Sequence, residues 1–409
     1  MSRIVGYNGE RLVRILQITH AYPPTFGGVE SHVWDIAHGL AARGHELAVL
    51  TGGRPLPGND NGPAPVRRNP LIGVQPLLAA RQGSTPEQLK PELLDQLRDI
   101  VGAAVDDFHP DVLHLHNGHH FGPELARACL DTHVETVVNG VHDRVGERLC
   151  PHVLDWSWDL VVYASDYLRT ALPTQRRAAV RWLGIDMNVF SPEGPIDARL
   201  AVLPRPVVFH PARLLRWKGV ECGLRAFARM RSELGEGTLV LCASEDIADD
   251  PAEVAAFRVE LTELAGQLGV ADAVRFLSFD RARIADAYRA ADLVWYPTID
   301  EEPLGLVPPE AMATGTPVVV TRSGGMQETV VDGATGLAVD KGDDVGLAEA
   351  AIRVLTDPTL RARLVDGGRE RATLFDSDRY VDWLIDEYRR PSQREGSRAT
   401  GQGVGGTIG

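Results

Sequence analysis

Residues 14–51 read RILQITHAYPPTFGGVESHVWDIAHGLAARGHELAVLT. Arg14–Thr19 is an apolar run of buried-strand length, and His20–Gly28 is a loop rich in Pro and Gly. From Val29 to Arg43, the residues Val33, Ile36, Ala37, Leu40 and Ala41 recur with the spacing of one helix face. Gly44 supplies the stop, because glycine accepts the left-handed backbone that ends helices. Glu46–Thr51 then reads as a second strand. Strand, helix and strand in this order make a parallel βαβ unit, so the fold class is α/β.

The alternation continues down the chain. Strands are expected at Asp111–His116, Thr136–Val141 and Asp159–Ala164, with helices at Pro91–Asp107, Pro123–Asp131 and Asp166–Leu172. Ser191–Pro206 (SPEGPIDARLAVLPRP) then breaks every regular pattern, and a fresh strand, Val207–His210, follows directly. Beyond it, strands are expected at Thr238–Cys242, Val274–Leu277, Asp292–Tyr296, Pro317–Thr321 and Gly336–Val339, with helices at Val220–Met230, Ala252–Leu268, Arg281–Ala290 and Pro309–Thr314. A chain of 409 residues exceeds what one α/β core ordinarily holds. Two doubly wound, Rossmann-like domains are expected, residues 1–195 and 196–376, facing each other across a cleft. Residues 391–409 have almost no apolar content and are expected to be a disordered tail.

Composition narrows the partners. The chain carries 42 Lys and Arg against 56 Asp and Glu, a net charge of −14, which opposes the attraction that nucleic acid or an anionic membrane surface requires. Four scattered cysteines, Cys129, Cys150, Cys222 and Cys242, show neither CxxC spacing nor the density of a disulfide scaffold, which fits a reducing, cytoplasmic setting. Met1–Arg14 has no apolar signal-peptide core, and nowhere is there a run of membrane-spanning length.

In doubly wound sheets ligands sit beyond the carboxyl ends of the strands, and the chemistry-bearing residues lie there. Gly27 and Gly28 close the first strand-to-helix loop, where bare backbone amides and the helix dipole can approach a phosphate; they can equally be turn formers, and no GxGxxG follows this strand. Arg213 and Lys218 follow the strand VVFH in PARLLRWKG, placed to neutralise a diphosphate as it leaves; the alternative is solvated surface charge. After DLVWYP comes DEEPLGLVPPEAMAT, with Glu302 in a loop, Gly305 behind it, and Glu310 on the first turn of a helix opened by Pro308-Pro309. This spacing lets one acid bind sugar hydroxyls and the other ribose hydroxyls; the alternatives are the paired acids of a glycosidase, which needs no neighbouring diphosphate cradle, and a helix N-terminus merely enriched in acids. His142, in NGVHDR after an apolar strand, stands where it can meet the donor sugar or buffer charge near the reacting carbon; the alternative is a structural histidine. His114, His116, His119 and His120 invite a metal reading, but the strand pair and the loop pair need not converge, and no metal is expected.

At these residues the sequence resembles the retaining, GT-B-fold glycosyltransferases. The resemblance runs from PPTFGGVE through VVYASDYLRTAL and LGIDMNVFSP to EPLGLVPPEAMATGTPVVVTRSGGMQETVVDGATGLAV. It implies that Arg213 and Lys218 hold the donor diphosphate, helped by Gly28 and the amides around Gly305, Leu306 and Val307. It implies that Glu302 contacts the donor sugar, Glu310 the ribose and His142 the sugar near its anomeric carbon, with no bound metal or other cofactor. It also implies that a helix at about Ser377–Arg390 crosses back to the first domain. Two positions depart from the family pattern: Leu304 stands where Phe is frequent, and Pro308-Pro309 replaces an aliphatic pair.

The expected function is therefore transfer of a hexose or N-acetylhexosamine from a nucleoside diphosphate sugar, a UDP-sugar by family frequency with a guanosine donor as the alternative, to a hydroxyl of a soluble small molecule such as an aminocyclitol, another natural-product core or a sugar. The acidic stretch Pro91–Phe108 argues against a lipid-linked acceptor. The acceptor loops, Asn59–Val74, Gly118–Phe121 and Arg144–Trp158, carry no readable motif. Two rivals are a non-hydrolysing nucleotide-sugar epimerase and a catalytically silent nucleotide-sugar-binding protein.

Overall fold

In the computed structural model the described residues are 11–23, 27–53, 62–143, 149–243 and 251–392. Thirteen strands form two all-parallel sheets among them. The first contains β1 (Arg14–Thr19), β2 (Glu46–Thr51), β3 (Val66–Arg68), β4 (Val112–His116), β5 (Thr136–Val141), β6 (Leu160–Tyr163) and β7 (Ala178–Val180), in the order β3-β2-β1-β4-β5-β6-β7. The second contains β8 (Val207–His210), β9 (Thr238–Cys242), β10 (Val274–Leu277), β11 (Leu293–Tyr296), β12 (Val318–Thr321) and β13 (Leu337–Val339), in the order β10-β9-β8-β11-β12-β13. Each order turns back at one point, between β1 and β4 and between β8 and β11, and there the loops leaving adjacent strands run to opposite faces and open a crevice. The doubly wound α/β class expected from the sequence is the one observed.

Strand parity sorts the core. Along β1, Ile15 enters the layer beneath the first helix (Gly28–Ala42), while Leu16 and Ile18 enter the layer on the opposite face. Because both faces are covered, the central strands are buried along their whole length, which explains their near-continuous apolar sequence. One apolar cluster passes from the first sheet through Leu183, Ile185, Phe190 and Leu200 to Phe209, Tyr288 and Met312 around the second.

The chain crosses between the two sheets twice, side by side. Ile185 N–H donates to the Phe375 carbonyl at 2.7 Å and Ser377 N–H donates to the Ile185 carbonyl at 2.9 Å. Two further links join the halves here. Ser165 Oγ donates to the Pro303 carbonyl at 2.6 Å. The Glu328 carboxylate accepts from Asp166 N–H (2.9 Å), Tyr167 N–H (2.8 Å) and Trp182 Nε1–H (2.8 Å), capping a helix of the first half with an acid of the second. The closing helix, Ser377–Tyr388, lies on the first helix, with Arg43 paired to Asp378 and Asp382 and Val381 seated over Gly39.

Several elements lie outside the strand-helix alternation read from the sequence. Val66–Arg68 (VRR) and Ala178–Val180 (AAV) are edge strands of only three residues, too short to show a strand period, and pairing with β2 and β6 extends them. Helices Asp344–Thr356 and Pro358–Ala372 are marked by side-chain caps, Asp343 accepting from Gly346 N–H and Asp357 from Thr359 and Leu360 N–H. The residues from 393 onward, and the acceptor-loop segments 54–61 and 144–148, lie outside the described residues.

Candidate active site

The loops after β8 and β11 carry most of the candidates, and the backbone locks the two loops together. Ile299 N–H and Thr298 Oγ1 both donate to the Trp217 carbonyl, at 2.9 and 2.8 Å. Gly219, at φ 72°, leaves no room for a side chain, since a Cβ there would lie 1.8 Å from the Pro297 carbonyl oxygen. This close approach sets Lys218, on the 3-10 turn Arg216–Lys218, against Tyr296 at the end of β11.

Lys218 Nζ donates to Glu302 Oε2 at 2.7 Å and to the Tyr296 hydroxyl, which in turn donates to the same Glu302 oxygen at 3.0 Å. The ammonium lies 3.7 Å from the centre of the Trp217 ring. Lys218 and Glu302 are each only 7% exposed. Burial pushes Lys218 below the ordinary lysine range, Glu302 opposes that shift, Arg213 adds to it, and Asp143 opposes it. Arg213 is half-buried, and its positive charge also acts on Tyr296. Two cations and one acid thus share the switch point of the second sheet. Arg216 instead faces solvent, paired with Glu260 at 2.7 Å.

Glu302 is held from behind by Ser323-Gly324-Gly325, a segment the sequence reading did not single out. Glu302 N–H donates to Ser323 Oγ at 2.8 Å, Gly325 N–H donates to the Glu302 carbonyl at 2.8 Å, and Gly324 N–H donates to the Glu301 carboxylate at 2.6 Å. A Cβ on Gly324 would stand 2.3 Å from the Glu302 carbonyl oxygen. The paired glycines after β12 were the visible signal, because adjacent glycines permit close backbone approach.

Gly305, at φ 81°, turns the chain into the helix Val307–Ala313, with Leu306 at its N-cap and Glu310 in its first turn. Glu310 Oε2 accepts from the Tyr288 hydroxyl at 2.7 Å. Burial pushes the Glu310 carboxyl up to about 7, against the Tyr288 hydrogen bond and the charge of Arg281. Arg281 is itself paired with Asp35 on the first helix, so an ion pair spans the cleft beside Glu310. The departures Leu304 and Pro308-Pro309 are buried without displacing either acid from its partners.

On the opposite wall, His142 follows β5 and is 4% exposed. Its backbone N–H donates to Asn117 Oδ1 at 2.8 Å, and its Nε2 is 2.9 Å from His116 Nδ1. Burial holds its ring neutral, with a pKa pushed down to about 3. The next residue, Asp143, was not among the candidates from sequence, yet its charge reaches Lys218 across the cleft. Its carbonyl lies 2.9 Å from His119 Nε2 and 3.2 Å from His120 Nε2, so the loop imidazoles serve the backbone. His114 and His116 share a strand face and stack at 4.2 Å. Among the described residues no three His, Cys, Asp or Glu side chains converge as a metal-binding group. Gly27 caps the first helix in extended conformation and Gly28 opens it; the Glu30 carboxylate folds against Gly27, while the space over Gly28 is open. Among the described residues no helix is long and apolar enough to cross a membrane.

Comparison with known proteins covers the same two halves. The model for "Glycosyl transferases group 1" matches residues 197–371, and that for "Glycosyl transferase 4-like domain" matches residues 27–191. D-inositol 3-phosphate glycosyltransferase of Acidothermus cellulolyticus is 30% identical over 402 residues, 89% of this chain and 85% of its own length. The protein of the same description from Salinispora arenicola is 29% identical over 403 residues, 88% of this chain and 87% of its own. Among solved structures, sucrose-phosphate synthase from Thermosynechococcus elongatus superposes with a TM-score of 0.75 at 24% identity, over 92% of this chain and 98% of the other. Anabaena HepE in complex with UDP and glucose gives a TM-score of 0.69 at 24% identity, over the same shares of the two chains.

Proposed function

This chain belongs to the glycosyl transferases group 1 family of GT-B glycosyltransferases, and from that premise we propose that it moves a hexose or N-acetylhexosamine from a UDP-sugar to a hydroxyl of a soluble small molecule, with retention at the anomeric carbon. The observation that carries this reading is the buried set Lys218, Tyr296 and Glu302 beside Arg213 at the β8/β11 switch point. Fixed cations there stabilise the charge that builds on a departing diphosphate, and they need no reorganisation as it forms.

In this reading Arg213 and Lys218 hold the diphosphate, with Gly28 and the amides of Gly305, Leu306 and Val307 around it. Glu302 accepts from hydroxyls of the donor sugar, Glu310 accepts from the ribose, and His142 meets the sugar near the reacting carbon. The bond from the anomeric carbon to the diphosphate oxygen breaks, and the acceptor oxygen bonds to that carbon on the same face. The acceptor proton passes to a phosphate oxygen of the leaving UDP, so no side chain serves as the base and no metal is required. Two likenesses support the partners: HepE was solved with UDP and glucose, and the relatives from Acidothermus and Salinispora are glycosyltransferases of D-inositol 3-phosphate. A polyhydroxylated cyclitol or sugar is the acceptor class this favours, and a cytoplasmic site of action goes with it.

Calorimetry with UDP, GDP, ADP and dTDP on the native protein, Arg213→Ala and Glu310→Ala tests the reading. Selective binding of UDP, weakened in both variants by about tenfold or more, is expected. Nucleotide binding that ignores both substitutions would remove the site, and conversion of the donor without any acceptor would replace transfer by epimerisation.

A further inference from the structure

Beneath the proposed donor site lies a polar seam in an otherwise apolar layer. Strand parity places His114 and His116 of β4 on the face covered by the first and closing helices, where the neighbours are Val33, Ile36, Val381 and Leu384. Both imidazoles are 0% exposed, and so is Gln17 beside them on β1. Buried polar groups in such a layer are costly unless they are paired. The tyrosine hydroxyl of Tyr388 lies 2.6 Å from His114 Nδ1, the His114 and His116 rings stack at 4.2 Å, and His116 Nδ1 lies 2.9 Å from His142 Nε2. Gly140, opposite His116 in the β4/β5 register, makes the room: a Cβ there would stand 2.4 Å from His142 Nε2 and 3.3 Å from His114 Nε2. The seam runs from the closing helix to His142 at the cleft.

A neutral imidazole has one N–H and one lone pair, so the bond made by one ring nitrogen fixes what the other can do. His116 Nε2 is buried and has no hydrogen-bond partner. Whichever ring donates across this contact, one N–H is left over, on His116 Nε2 or on His142 Nδ1. His116 is sealed at 0% exposure, whereas His142, 4% exposed, follows β5 at the cleft where a ligand oxygen can take an N–H, which puts the His116 proton on Nδ1, donating to His142 Nε2. The proton of His142 then sits on Nδ1, which is also buried without a partner. We propose that His116 is a positioning residue for His142, holding it as the Nδ1–H tautomer so that this N–H is kept for an oxygen of the donor sugar. The inference rests on the reading that His142 meets that sugar, and it assigns the donating atom and the residue that sets it.

The test compares the native protein with His116→Leu, His116→Asn and His142→Ala, using UDP and UDP-glucose as probes in calorimetry. The asparagine amide N–H can occupy the place of imidazole Nδ1–H, whereas leucine cannot. In His116→Leu the affinity for UDP should stay within about twofold of native, while the extra affinity conferred by glucose falls about tenfold; His116→Asn should recover most of it. Equal loss in Leu and Asn, or parallel loss of UDP affinity, indicates a packing role and overturns the proposal. If His142→Ala discriminates UDP-glucose from UDP as the native protein does, the reading of His142 fails instead. If His142→Ala loses that discrimination but His116→Leu keeps it, only the present inference fails. Ring 15N shifts of native His142 read the tautomer without any variant: a protonated Nδ1 and bare Nε2 are expected, and the reverse pattern sinks the proposal.

Discussion

Lys218 Nζ lies 2.7 Å from Glu302 Oε2, 84 residues away in sequence, with both side chains almost sealed from water. Neither charge is stable in that setting alone, because each depends on the other and on the Tyr296 hydroxyl. Lys218→Met leaves Glu302 buried and uncompensated, and should cost about 3–5 kcal/mol in urea unfolding. Adding Glu302→Gln should return part of that stability without returning donor binding. A double variant no more stable than the single one would show that the pair is not energetically coupled.

Glu328 ties the two halves by accepting three N–H bonds from Asp166, Tyr167 and Trp182. Ser165 Oγ makes a further link to the Pro303 carbonyl, one residue from Glu302, so the junction and the site share a loop. Glu328→Ala leaves three donors without their acceptor and should lower stability by about 1–3 kcal/mol. Donor affinity should fall with it, since the amides Glu328 holds adjoin Ser165, whose bond to the Pro303 carbonyl ties down the loop bearing Glu302. Glu328→Gln, which can accept only some of these bonds, should fall between. Unfolding and UDP titration on the same samples check both effects.

Glu310 carries the pH dependence of donor binding. Its carboxyl is pushed up to about 7 by burial, so it is largely protonated in the free protein at mildly acidic pH. If the ribose hydroxyls donate to the carboxylate, UDP affinity should weaken as pH falls through 7, by up to about tenfold per unit. The Tyr288 hydroxyl holds this value down, and Tyr288→Phe should move the break to higher pH. For stability the sign is opposite. A folded value above the unfolded one favours the folded state most below the ordinary carboxyl range, and that contribution is lost as pH rises through 7.

The buried imidazoles dominate the acid side. His114, His142 and His210 are pushed down to about 3, and His20 and His120 to about 4, by burial. The unfolded chain takes up these protons near the ordinary value of 6.5, whereas the folded chain does not. Stability supplied by the neutral rings is therefore complete above 6.5 and falls as pH drops toward 3. Each ring contributes about 1.4 kcal/mol per pH unit within that window. The urea midpoint should fall steeply between pH 6.5 and 5; a flat profile would mean that these rings titrate normally.

Two scales of information separate in this chain. The βαβ unit at residues 14–51 was legible because neighbouring residues alone set strand length and helical period, and β1, β2, β5, β8, β9 and β10 have the bounds that these patterns give. The motif after β11 was legible too, since Gly305, the proline pair and Glu310 follow one another within a single turn and loop. Edge strands β3 and β7 were not, because three residues, VRR in one and AAV in the other, are too short to show a strand period and become strands only through a partner.

The site itself was decided by tertiary structure. Sequence named Arg213, Lys218, Glu302, Glu310 and His142 as separate possibilities, each with an ordinary structural alternative. That Lys218 meets Glu302, that His116 meets His142, that Asp35 pairs with Arg281 across the cleft, and that the charge of Asp143 reaches Lys218 depend on strand order. Local pattern says that a strand exists but not beside which strand it will lie; β8 meets β11, and β1 meets β4, only when the sheets assemble. Periodicity is a property of neighbours in the chain and is written there, whereas burial and charge pairing are properties of neighbours in space.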